Sequence, residues 1–169
     1  MPGYVIHLAV GKIYSQNNKI DDLNSFEEGI IAPDMSENKA KSHYGQYSSS
    51  PGLNEFIQAN GISCSYDEGY FLHLVTDYLF YNRFLNKWDT AIYDDYDKLN
   101  SRLMKKYGIK LPEDVKKKVK FEAGEPGILK EDNLCKFINS VGKIDVRQIV
   151  SKRDINLRKL ISESLELEI

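Results

Sequence analysis

SYDEGYFLHLVTDYLF, residues 65–80, decides how this chain is read. Ser65 followed three residues later by Glu68 has the form of a capping box, which starts a helix at about Tyr66. Phe71, Leu72, Leu74, Val75, Leu79 and Phe80 then cover several faces of that helix. An element apolar nearly all round passes through the middle of a domain rather than lying on its surface. His73 and Asp77 interrupt the apolar run. Residues four apart stack on one face of a helix, so their side chains converge on one point, and polar groups in so apolar a helix need partners.

Working outward, helical periodicity dominates, and no stretch alternates as a half-buried strand would. The reading is all-α. A first helix is expected from about Tyr4 to Gln16 and a second from Asp22, as N-cap, to Ile30, ended by Pro33. Residues 32–50 read as a long polar loop, closed by Pro51 and Gly52, and long loops in small domains often carry function. Pro51 suits the first turn of a short helix ending near Gly61. Further helices are expected over 90–107, with Gly108 as left-handed cap, over 112–119 as a basic surface element, over 132–141 and 146–151, and from Asp154 towards Leu167. Residues 122–127 hold two glycines and a proline and form the best internal break. The chain is expected to be one compact multi-helix domain over 1–169, with a site-bearing half at about 1–108 and supporting helices over 109–169.

The bulk properties narrow the function. A length of 169 residues suits one full core. The net charge of −2 gives no general attraction for nucleic acid or an acidic membrane. The run Lys116 to Lys120 is spaced like a solvated helix face, and no nucleic-acid footprint follows from it. Cys64 and Cys135 are far apart and lack CxxC spacing, so neither a disulfide framework nor a thiolate zinc site is indicated. No signal peptide is recognisable and no apolar run reaches the length of a membrane span, so a cytoplasmic location is expected. Gly124 to Gly127 lacks the Lys-Ser/Thr of a phosphate-binding loop, and Cys64 has no histidine partner closer than His73.

The three histidines, His7, His43 and His73, all fall in the first 73 residues. Asp34 precedes His43 across a polar stretch, and Asp77 follows His73. A set of His and Asp donors without useful cysteine favours zinc, or a harder divalent metal where carboxylates dominate. The plainer alternatives are Asp34 capping a turn after Pro33, His43 as a solvated loop residue, and His73 with Asp77 as hydrogen-bonded neighbours.

Gly3-Tyr-Val-Ile-His7, then Asp34, then Ser42-His43-Tyr44, then Leu72-His73 through to Asp77 resembles the zinc-dependent phospholipase C family, whose superfamily includes the single-strand-specific zinc nucleases. The match covers about the first half of the chain. The resemblance implies an all-helical fold of that type. It also implies a metal site formed by Asp34, His43, His73 and Asp77, with Asp77 bridging to a second metal that His7 helps to bind. One or two zinc ions would then activate water against a phosphoric ester, with Asp34 or another carboxylate orienting the nucleophile.

Two family features are absent. The N-terminal amine that serves as a ligand there has no counterpart in Met1 or Pro2, and the third-metal histidine position holds Arg83. Asp94 and Asp97 share a face of the next helix and offer carboxylates to a second metal, which would favour manganese, iron or magnesium; a solvated acidic face is the equal alternative. Arg83 can hold a substrate phosphate or serve as a surface residue.

The expected activity is therefore that of a metal-dependent hydrolase acting on a small-molecule or lipid phosphate ester. The alternatives are a non-catalytic helical binding or regulatory module with a structural metal, and a helical phosphohydrolase of the HD type. The latter lacks here the adjacent His-Asp pair that defines it.

Overall fold

The computed structural model describes residues 2–152 and 156–165, and these are entirely helical and irregular, without strands. Ten α-helices follow one another: α1 (Tyr4–Asn17), α2 (Leu23–Met35), α3 (Lys39–Ser42), α4 (Leu53–Ala59), α5 (Ser65–Leu79), α6 (Ile92–Tyr107), α7 (Glu113–Lys116), α8 (Glu131–Gly142), α9 (Val146–Ser151) and α10 (Leu157–Ser164). A π-helical turn, Phe80–Phe84, continues α5. They pack as a compact single domain, as the periodicity predicts. The expected opening of the last helix at Asp154, and its end at Leu167, lie outside the described residues.

The domain is organised by the crossing of α2 and α5, the most extensive helix contact among the described residues. Gly29 and Gly69 make it possible. A Cβ on Gly29 would sit 2.1 Å from the Tyr66 carbonyl oxygen, and one on Gly69 would sit 2.1 Å from that of Phe26. The two backbones therefore touch where any side chain would hold them apart. Helix α1, itself buried along most of its length, packs against α2 and α5 and also against α6 and α8. Helix α5 is buried on every face, consistent with its apolar composition.

Several boundaries differ from expectation for physical reasons. Ser65 does not cap α5. Cys64 occupies the N-cap position, the Ser65 hydroxyl accepts from the Asp22 amide, and Glu68 accepts from the Tyr14 hydroxyl (2.7 Å) and Arg147 Nε (2.7 Å). Glu68 thus joins α1, α5 and α9 instead of closing a local box.

Helix α2 does not stop before Pro33 but runs through it to Met35. The last carbonyls of a helix have no intrahelical donor, and here side chains supply them. The Ser42 hydroxyl donates to Pro33 O (2.8 Å), and both the Tyr4 hydroxyl (2.9 Å) and Lys39 Nζ donate to Asp34 O.

The expected loop over 32–50 therefore contains the end of α2 and all of α3. The basic segment 112–119 forms only the single turn α7, and α6 ends at Gly108 with φ 64° as anticipated. Past α7 the chain is irregular to residue 130. It is held where the Asp95 carboxylate accepts the amides of Gly127, Ile128 and Leu129.

A candidate metal centre

Five side chains from four elements meet inside the domain: His7 from α1, Asp34 from α2, His43 at the end of α3, and His73 and Asp77 from α5. All are at most 3% exposed. His43 Nε2 lies 3.0 Å and His73 Nε2 3.4 Å from Asp77 Oδ2, and they lie 3.6 and 3.7 Å from Asp34 Oδ1. His7 approaches from the other side, with Nε2 3.2 Å from Asp77 Oδ1, and its ring stacks on that of His73 at 3.7 Å. The two oxygens of Asp77 thus face different histidines.

The close α2–α5 crossing brings His73 Nδ1 within 2.7 Å of Ile30 O, and the turn that ends α3 brings His43 Nδ1 within 2.9 Å of Lys39 O. The end of α3 is pinned in turn by the Tyr70 hydroxyl, which donates to Ser42 O, and by the Gly52 amide, which donates to His43 O. A carbonyl can only accept, so both Nδ1 atoms carry the proton and both Nε2 lone pairs point inward. This is the arrangement that orients histidine for metal ligation.

Those two Nε2 atoms lie only 3.3 Å apart. Facing lone pairs at that distance repel unless a cation lies between them. The surroundings point the same way: Asp34 Oδ1, both oxygens of Asp77 and both ring nitrogens of His7 are buried without a hydrogen-bond partner. A buried polar atom left without a hydrogen bond costs on the order of 1–3 kcal/mol. Two sets of donors have atoms close enough to share an ion: His7, His73 and Asp77, and Asp34, His43 and His73. The buried His/Asp groups can hold a metal ion.

The protonation behaviour reflects the same crowding. Burial pushes His7 below the usual imidazole range, assisted by repulsion from His73 and only partly opposed by Asp77. Burial acts on His73 in the same sense, but Asp77 and Asp34 outweigh it and hold that imidazole above its ordinary value. Asp77 lies well below the carboxylate range, because His73, His43 and His7 overcome the cost of burying its charge. A proton on His73 therefore does in part what a metal cation would do more completely.

The remaining expected site residues do not converge on this point. Arg83, in the π-helical turn, is exposed and donates to Ser162 O. Asp94 is exposed; Asp97 is half-buried and lines a small cavity that Asp34 also lines.

Sequence reasoning missed three residues around the centre. Tyr4 and Lys39 hold the Asp34 carbonyl. Tyr96 is 5% exposed, and its hydroxyl has no partner. A signal for Tyr96 did exist, since Ile92, Tyr96, Leu99 and Leu103 form the apolar stripe of α6 and a tyrosine there must bury its hydroxyl. No family model matches the chain, and no curated protein or solved structure matches it either.

Proposed function

We propose that this protein is a metal-dependent hydrolase of phosphoric esters, with zinc as its ion. The observation that carries the reading is the inward-facing pair His43 Nε2 and His73 Nε2, set against both oxygens of Asp77 and Oδ1 of Asp34, which have no hydrogen-bond partner. Three imidazoles and two carboxylates form a donor set that suits zinc. Asp34, His43, His73 and Asp77 would hold one ion, and Asp77 Oδ1 with His7 would contribute to a second. The partition of Asp77, with one oxygen towards each group, supports that division.

A bound divalent ion supplies Lewis acidity, polarising phosphoryl oxygens and lowering the pKa of water. The chain's own residues do the rest. The carbonyls of Ile30 and Lys39 fix the ring orientation of His73 and His43, and the hydrogen bonds to Asp34 O fix where its carboxylate stands. Asp34 would be the carboxylate that orients an attacking water.

A second reading is favoured by one observation, the nearly complete burial of the five side chains. A structural metal sits in a closed site, whereas a catalytic one keeps an open position. In that case the protein is a helical binding or regulatory module. Metal analysis of protein purified without added metal, combined with a panel of phosphomonoesters and diesters, tests both. The hydrolase is expected to retain zinc and turn over at least one ester, with metal content and turnover both lost in His73→Ala. Bound zinc without any turnover would transfer support to the structural reading; a wild type that binds no divalent ion would end both.

A further inference from the structure

Residues 46–50 follow His43, and Asn82 stands in the turn that continues α5 beyond Asp77. With Trp88 and Tyr93 these two segments line a cleft of about 710 Å³, a volume in the range of small-molecule sites. Its aromatic lining is accessible: Tyr47, Trp88 and Tyr93 are 62%, 53% and 46% exposed. Aromatic faces left in water gain when another ring covers them. Ser48, Ser49, Ser50 and Asn82 set polar groups among the rings, which suits a ring with polar substituents and not a hydrocarbon chain.

The wall that carries Tyr47 is fixed. The Ser50 amide donates to Tyr47 O (3.0 Å) and closes a turn. Asn82 Nδ2 donates to Ser49 O (3.2 Å), which ties that turn to the π-helical extension of α5, and Arg158 of α10 donates to Pro51 O (3.1 Å). A platform held in place beforehand loses little freedom on binding. Lys39 joins the cleft to the metal centre: it lines the cleft, its ammonium donates to Asp34 O, and its carbonyl lies 2.9 Å from His43 Nδ1. It is also the one charged residue in the lining among the described residues, so a phosphate on the ligand meets no carboxylate there.

We infer that this cleft holds the organic part of the substrate and that this part is a planar ring, so the esters cleaved are aromatic phosphates and not phospholipids. For the phosphate the inference rests on the hydrolase reading. For the ring it rests on the cleft alone.

Trp88 is the one tryptophan of the chain, so its fluorescence reports on this cleft. The test is titration of zinc-supplemented protein with phenylphosphonate and with ethylphosphonate, whose carbon–phosphorus bonds are not ester bonds and survive the measurement. Phenylphosphonate changes the Trp88 emission saturably and binds about tenfold more tightly than ethylphosphonate. Tyr47→Ala and Tyr93→Ala, both on the surface, each weaken its binding about fivefold, the loss typical of one aromatic pair. An unchanged Trp88 emission, equal affinity for the two phosphonates, or variants that bind as tightly as wild type overturns the inference. The hydrolase reading is decided separately by turnover of phenyl phosphate: if phenylphosphonate binds as described and no ester is cleaved, the ring site stands and the hydrolase reading falls.

Discussion

His43 and His73 are each held by a backbone carbonyl at Nδ1 and left open at Nε2, and this asymmetry gives both residues their chemistry. His73 and Asp77 were legible in the sequence because a spacing of four on a helix fixes a shared face whatever the rest of the fold does. The carbonyls that orient the histidines were not, since Ile30 O becomes a partner only when α2 crosses α5. Tyr96 was overlooked for a related reason. Its acidic neighbours drew attention, yet the buried one, Asp95, serves the backbone amides of residues 127–129. A hydroxyl kept dry without a partner destabilises the fold, so Tyr96→Phe should raise the stability of the metal-free protein by about 1 kcal/mol. Urea unfolding measures this, and an unchanged or lowered midpoint would mean that the hydroxyl is satisfied by water.

Among the elements, α2 carries most of what sequence reasoning could not anticipate. Pro33 is a sound stop signal, because it lacks an N–H and clashes with the preceding turn. Helix α2 continues to Met35 nevertheless, since Ser42, Tyr4 and Lys39 supply donors to its final carbonyls. Asp34 therefore stands on a helix rather than in a loop. The same helix depends on Gly29, and α5 on Gly69. An alanine at either position would push a methyl into the opposing carbonyl and force α2 from α5. Overpacking of this kind costs about 1–3 kcal/mol. Gly69→Ala should lower the thermal midpoint and also weaken zinc binding, although Gly69 is no ligand, because it separates Asp34 from His73 and Asp77. Isothermal zinc titration alongside a melting curve checks both, and a variant that melts lower with unchanged zinc affinity would refute the coupling.

At the scale of the whole molecule, the all-α class and the single domain were readable from periodicity and length, whereas the meeting of α1, α2, α3 and α5 at one point is a tertiary fact. That meeting links stability to metal and pH. His73 has a raised folded pKa, so the stability its protonated form contributes is present in acid and is lost as pH rises through that pKa. His7 is lowered and acts in the opposite sense, penalising the fold in acid. Zinc needs all of its imidazoles neutral. If zinc is the ion, as proposed, any rise in melting temperature on adding it should therefore be larger at about pH 8 than at about pH 6, and scanning calorimetry with and without zinc at each pH tests this. No helix among the described residues is long and apolar enough to cross a membrane. The burial of the five side chains carries a kinetic consequence as well. In the closed, structural reading a chelator cannot reach the ion until the helices part, so the rate of zinc loss should level off as chelator concentration is raised. A site open to an ester should instead lose zinc at a rate that keeps rising. In the closed case the exchange half-life of the ion would be a clock for the separation of α2 from α5.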